Sequence, residues 1–266
     1  MLRFSANLGF LWSGLPLLDR VGAAAAAGFK AVELHWPFDV DAAALRRACG
    51  DHRVELLAFN SEPGDVSRGE FGLASLPGRE PDFASSLARA ISYARASGAG
   101  AIHVLAGPAT AGRQAEARDT FVRNLRRAAD AAPGLTLLLE PMNPSDRPGY
   151  FYATVDAVTD LLTAIDRDNV RLLFDVYHAG RTEPDIEGAL RRSARWIGHI
   201  QIAGVPDRGE PDEGQIDYRA VFHTIQKIGY GGWIGCEYRP RTTPEAGFHW
   251  IDDLTGHPPT ECGRTV

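Results

Sequence analysis

Leu137-Leu138-Leu139-Glu140, Leu172-Leu173-Phe174-Asp175 and Trp233-Ile234-Gly235-Cys236-Glu237 are apolar runs that each close on a carboxylate. His199-Ile200-Gln201 lies between the last two and closes on an amide instead. A short apolar run of this kind reads as a buried strand of a parallel sheet. Successive members lie close to one β/α unit apart along the chain. In a closed parallel barrel all four polar side chains therefore converge at the C-terminal mouth, the end where barrel active sites are built.

Working outward, strand-like runs recur near Arg3–Asn7, Ala31–Leu34, Val54–Asn60, Ala101–Leu105, Leu135–Glu140, Arg171–Asp175, His199–Ile202 and Trp233–Glu237. Segments with helical apolar spacing separate them, among them Leu15–Ala27, Ala42–Ala48, Phe83–Ala96, Ala115–Ala131, Val155–Ile165, Ile186–Trp196 and Tyr218–Ile228. Gly28, Gly98 and Gly229 follow such segments, where a left-handed residue turns a helix back toward a strand. The alternation predicts an α/β chain folded as a single-domain (β/α)8 TIM barrel over 1–255, with 256–266 as a C-terminal tail. A doubly wound sheet would want a phosphate-binding glycine fingerprint after its first strand, and Gly9 to Gly14 does not supply one. Asn60–Pro81 and Gly204–Asp217 are longer than ordinary βα loops and are expected to overhang the mouth.

The composition, 44% apolar and 23% charged over 266 residues, is that of a globular protein with a sizeable core. No apolar run approaches the roughly 18 residues that would span a bilayer. The start, Met1-Leu2-Arg3-Phe4-Ser5, runs straight into strand-like sequence rather than an export signal. Cys49, Cys236 and Cys262 are odd in number and lack CxxC spacing, which argues against a disulfide framework or a zinc site. A reduced, cytoplasmic protein is the expectation. The net charge of −6 and the lack of a basic stripe argue against nucleic acid as a partner.

Carboxylates meeting at one mouth would repel unless a cation sat between them. Together with the amide oxygen of Gln201, which adds a ligand without adding charge, they suit a hard divalent ion such as Mg²⁺ or Mn²⁺. Glu140 and Glu237 close strands five and eight and so stand on opposite walls. A substrate lying between them would have a carboxylate on each side, an arrangement for moving a proton between adjacent carbons. Chelation of a carbonyl and its neighbouring hydroxyl would acidify the carbon-bound hydrogen and stabilise the enediolate. Return of the proton to the neighbouring carbon isomerises the substrate, and return to the same carbon epimerises it.

Six motifs tie the chain to a known family: Leu76-Pro77-Gly78-Arg79-Glu80, Leu139-Glu140-Pro141-Met142-Asn143, Phe174-Asp175-Val176-Tyr177-His178, Gly198-His199-Ile200-Gln201-Ile202-Ala203, Arg208-Gly209-Glu210-Pro211 and Gly235-Cys236-Glu237-Tyr238. Nearly the whole length resembles hydroxypyruvate isomerase, of the xylose isomerase-like TIM-barrel superfamily that also holds ketose 3-epimerases and endonuclease IV. The resemblance implies Glu140 and Glu237 as the catalytic acid/base pair and Glu140, Asp175, Gln201 and Glu237 as metal ligands. It also implies a metal-dependent isomerase that interconverts hydroxypyruvate and tartronate semialdehyde, or a closely related 2-oxo-tetronate, and works as a dimer or tetramer. Gln201 stands where ketose 3-epimerases carry His, and the His set of endonuclease IV is missing. A 3-epimerase, an endonuclease IV-like phosphodiesterase and a non-catalytic sugar-acid binder are the alternatives.

For the substrate, His178 is expected to reach an oxygen from the loop after strand six. Arg208 is expected to clamp a carboxylate in bidentate fashion, with Arg79 and Arg239 as substitutes. Asn7 and Asn60, closing strands one and three, are expected to donate to hydroxyls. His199 shares the face of Gln201 one layer deeper and reads as support or barrel filling. His35 reads either as loop structure or as a substrate contact, and Trp36 beside it as an apolar wall. Phe59 occupies a position where hydroxypyruvate isomerases tend to carry His, and loss of that imidazole from the mouth is expected to alter which acid fits.

Overall fold

The structure, a computed structural model, describes residues 2–109 and 112–256. Cys262 and all of the expected tail except Gly256 lie outside the described residues. Eight strands run in order: β1 (Arg3–Asn7), β2 (Ala31–Leu34), β3 (Glu55–Asn60), β4 (Ala101–His103), β5 (Thr136–Leu139), β6 (Val170–Asp175), β7 (Ile197–Ile202) and β8 (Trp233–Cys236). Each pairs in parallel with the next, and β8 closes on β1, so the sheet is a barrel without an edge. The TIM barrel read from the alternation is the fold observed.

Helices cover the outside for the usual reason, an apolar stripe on one face. In Val155–Ile165 the buried residues are Val155, Val158, Leu161, Leu162 and Ile165, spaced by three or four. Thr154 starts that helix by accepting the N–H of Ala157, as Asp41, Asp185 and Asp217 do for later N–H groups of theirs. The main core fills the layer between strands and helices. Inside the barrel, Ala58, Leu138 and Leu173 form a small apolar cluster of their own. Side chains alternate along a strand, so the next inward positions are Asn60, Glu140 and Asp175. The site rests on that apolar floor.

Two segments were not read from the sequence. A five-residue helix, Val176–Gly180, begins directly after β6, with the Asp175 carboxylate accepting the N–H of Tyr177 at 2.8 Å. Five residues show no period, so the sequence alone reads as a loop there. Helices Pro244–Gly247 and His249–Thr255 end the described chain, and Trp250 is buried against Phe4 and Phe222. Gly256, in the left-handed region at φ 69°, caps the last of them. No described helix is long and apolar enough to cross a membrane.

Candidate active site

A cavity of about 640 Å³ opens at the C-terminal mouth. Glu140 and Glu237 line it from residues just past β5 and β8, with His178 from the short helix and Arg208 from the loop after β7. Phe10, Trp36 and Phe71 supply aromatic walls. Phe71 belongs to the long loop after β3, and Pro206, Asp207 and Arg208 to the long loop after β7, so both extended loops do overhang the mouth.

The acid floor is buried. Glu140, Asp175 and His178 each bring one ligand atom to within 4.8 Å of the others. Asp175 and Gln201 face each other in register on β6 and β7. Glu140 Oε1 and Gln201 Oε1 are buried without any hydrogen-bond partner among the described residues. A bare buried oxygen is costly, and two of them beside a carboxylate are what a cation would satisfy. The donor set thus fits a hard divalent ion.

Glu237 stands apart from that trio because it has its own partners. His35 Nε2 lies 2.9 Å from its Oε1, and Arg208 Nη2 lies 2.8 Å from its Oε2. The same Arg208 nitrogen is 3.5 Å from Asp175 Oδ2, so one guanidinium joins two of the expected ligands. Rings of Tyr177 and Phe10 lie 4.8 and 5.2 Å from the guanidinium carbon. The backbone of Arg208 takes a left-handed φ of 60°, uncommon for a side-chain-bearing residue. Its N–H donates to Gly204 at 2.8 Å and its carbonyl accepts from Arg239 at 2.8 Å, which holds that conformation.

The protonation pattern of His178 follows from its neighbours. Asn143 Oδ1 accepts the N–H of Asp146, which turns the Asn143 amide nitrogen toward His178 Nδ1 at 2.7 Å. The backbone N–H of Asn143 donates to the same Nδ1 at 3.1 Å. An Nδ1 that accepts leaves the proton of a neutral ring on Nε2. Nε2 lies 3.6 Å from Glu140 and 3.7 Å from Asp175, and in this tautomer it is a donor to them rather than a lone pair for a metal. Burial, helped by the nearby Arg208 charge, pulls its pKa down to about 3, so the ring is neutral.

The carboxylates divide in the same way. Burial pushes Glu140 well above the usual carboxylate range, and Glu237 and Asp175 add to the effect. Burial also lifts Asp175, to about 7, with Arg208 opposing. At Glu237 burial works the same way but is outweighed by Arg208 and His35, which hold its pKa down to about 2. Arg208 and His35 thus hold Glu237 ionised, while burial raises the carboxyl of Glu140 opposite it.

Not every candidate reaches the cavity. Asn60 lines it, with its Oδ1 3.1 Å from His103 Nδ1. Asn7 does not, because its amide nitrogen donates to Glu33 and its oxygen accepts from Gly9. Arg79 is bound in ion pairs to Glu70 and Asp82. Phe59 points outward against Phe38 and Tyr93, since alternation puts neighbouring Asn60 inward, so the position is not part of the mouth. His199 is buried against Glu33 at 2.5 Å, the supporting place expected of it. Glu33 and His103 were missed as site groups, whereas His35, read as either loop structure or a substrate contact, binds Glu237. A charged residue inside the apolar run Ala31-Val32-Glu33-Leu34 was the available signal.

A family model described as xylose isomerase-like TIM barrel matches residues 21–254. A 2-oxo-tetronate isomerase of Cupriavidus necator is 45% identical over 96% of this chain and 100% of its own length. The hydroxypyruvate isomerase of Escherichia coli is 40% identical over 95% of this chain and 99% of its own. A crystal structure from Brucella melitensis, described as an AP endonuclease of family 2, superposes with a TM-score of 0.92 at 37% identity, covering 95% of this chain and 99% of that one. The chain belongs to the xylose isomerase-like TIM barrel family, in its hydroxypyruvate isomerase group, and is an isomerase.

Proposed function

We propose that the chain interconverts hydroxypyruvate and tartronate semialdehyde, or a closely related 2-oxo-tetronate, through an enediolate. What carries the reading is one arrangement: Glu237, held by Arg208 and His35, and Glu140, with an unpartnered oxygen, both face the same cavity. Glu237 takes the proton from the hydroxyl-bearing carbon, and the released electron pair forms the carbon–carbon double bond of the enediolate. A proton is then delivered to the neighbouring carbon by Glu140, and the hydroxyl proton passes between the two substrate oxygens. Neutral His178 offers its Nε2–H to a substrate oxygen, and Asn60 offers a further hydrogen bond at the wall.

Glu140, Asp175, Gln201 and Glu237 would hold a divalent cation, Mg²⁺ or Mn²⁺, with His178 beside them as a hydrogen-bond donor. When bound, such an ion supplies positive charge where the enediolate oxygens develop negative charge. Arg208 is tied to Glu237 and Asp175, whereas Arg147 and Arg239 line the cavity without an acidic partner among the described residues. We assign the substrate carboxylate to that rim.

The test is product analysis with metal-loaded protein on hydroxypyruvate and 2-oxo-tetronates, beside Glu140→Gln and Glu237→Gln. A relocated carbonyl that both variants abolish supports the reading. An inverted carbon with the carbonyl in place would mean a 3-epimerase, and cleavage of an abasic duplex would mean a phosphodiesterase. Either result overturns it.

A further inference from the structure

Glu33 is a buried glutamate in the middle of the barrel, outside the acid/base pair and the ligand set. Its Oε1 accepts from the Asn7 amide at 2.9 Å and from the Gln201 amide at 2.7 Å. Its Oε2 lies 2.5 Å from His199 Nε2 and 3.5 Å from Ser5 Oγ. Burial of this group without a partner is costly, so the ring of donors around it is required rather than incidental.

The N–H of Gly9 donates to Asn7 Oδ1 at 2.9 Å, so the Asn7 nitrogen, not its oxygen, faces Glu33. Glu33 Oε1 is therefore an acceptor. A Gln201 amide turned the other way would set its carbonyl against that oxygen, two negative ends in contact. The amide is thus held with its nitrogen on Glu33 and its oxygen left without a partner among the described residues.

Space for this comes from Gly235, which pairs in register with Gln201 on the neighbouring strand. A Cβ at 235 would lie 2.5 Å from both Glu33 oxygens. Glycine there lets the carboxylate of β2 reach across to β7.

We infer that Glu33 is a positioning residue that fixes the Gln201 amide with its oxygen presented as a neutral ligand to the cation. The inference rests on the cation reading of the site. It explains why an amide, which has two nearly equivalent ends, serves as a ligand here: the buried carboxylate behind it removes the ambiguity. His199 and Asn7 act through Glu33, and this gives a role to two polar residues that the cavity does not use.

The experiment is a double-mutant cycle read as Mn²⁺ affinity of the purified protein, by electron paramagnetic resonance of the free ion. Wild type, Glu33→Gln, Gln201→Ala and the double variant are compared, with circular dichroism as the folding control. Glu33→Gln is expected to weaken Mn²⁺ by roughly tenfold or more, in line with losses seen when outer-shell partners of metal ligands are removed. In the Gln201→Ala background the same change should do nothing further. If Glu33→Gln does not fold, Glu33→Asp, which keeps the charge but shortens the reach, carries the same cycle.

Losses that multiply in the double variant would mean that Glu33 acts on the site generally and would overturn the inference. So would a Glu33 variant with wild-type affinity while Gln201→Ala is weakened. Absence of Mn²⁺ binding by the wild type, or equal binding by wild type and Gln201→Ala, would instead remove the cation reading beneath it, and the inference with it.

Discussion

Arg208 places one guanidinium nitrogen 2.8 Å from Glu237, and that contact opposes the burial that would otherwise raise the carboxylate's pKa. The same nitrogen reaches Asp175 at 3.5 Å, and burial of the two carboxylates beside a partly buried Arg208 makes the attraction stronger than it would be in water. Glu237 is kept ionised by it, which is the state a base requires.

Removing that cation is therefore predicted to change the pH profile and not only the rate. In Arg208→Met the pKa of Glu237 rises from about 2, because burial is then opposed by His35 alone among its two hydrogen-bonding partners. A base with a raised pKa is protonated at higher pH, so the acid limb of kcat/KM moves upward into the working range. The rate at neutral pH should fall by on the order of 10²-fold. A rate loss with an unmoved limb would show that Arg208 serves the substrate alone.

Cation binding is predicted to release protons. Burial raises Glu140 well above the usual carboxylate range, and a carboxyl group must lose its proton to become a ligand. Affinity for Mg²⁺ or Mn²⁺ should consequently rise with pH. Calorimetry in two buffers of different ionisation enthalpy gives the number of protons released, and Glu140→Gln should lower it. Chelation should abolish turnover, with recovery on adding either ion back.

The rim arginines make a prediction about charge in the substrate. Arg147 and Arg239 line the cavity without acidic partners among the described residues. Arg147→Gln and Arg239→Gln should raise KM for hydroxypyruvate by about tenfold each, the usual scale of a lost charged hydrogen bond. Dihydroxyacetone, which carries a CH₂OH in place of the carboxylate, should be turned over equally poorly by both variants and the wild type. Equal losses on the two substrates would place the carboxylate elsewhere.

Position 59 yields the opposite kind of prediction. Phe59 is fully buried between Phe38 and Tyr93 on the outer face of β3. Phe59→His should lower stability by about 2–4 kcal/mol, from a lost ring contact and an unpaired nitrogen. The ratio of kcat/KM for three- and four-carbon acids should stay the same. Urea unfolding and a two-substrate assay separate the effects.

Position 59 also marks how far the sequence can be read. The barrel was legible because Leu172-Leu173-Phe174-Asp175 and its counterparts repeat one local pattern, and parallel strands buried on both faces leave a plain apolar run. Glu140, Asp175 and Gln201 were legible because each closes such a run. What could not be read were contacts between strands far apart in the chain. Glu33 meets Gln201 across 168 residues, and His35 meets Glu237 across 202, pairings that exist only once the ring has closed. Arg208 was found, but on the expectation of a free clamp, because the loop alone does not reveal that its guanidinium turns down onto Glu237. Phe59 was placed in the mouth by analogy of position, although strand alternation with Asn60 already put it on the other face.

The most direct measurement is solvent deuterium incorporation during turnover of hydroxypyruvate in D₂O, with metal-loaded wild type and Glu237→Gln side by side and a protein-free control. Proton transfer through Glu237 predicts one deuterium on the carbon that receives the proton in tartronate semialdehyde. It also predicts label washing into the CH₂OH carbon of recovered hydroxypyruvate, and loss of both in Glu237→Gln. Product formed at the wild-type rate without solvent label would mean that the hydrogen passes to the neighbouring carbon directly or on a single unexchanged carboxylate, not from a second acid. Undiminished labelling by Glu237→Gln would mean that another group is the base. Either result contradicts the account.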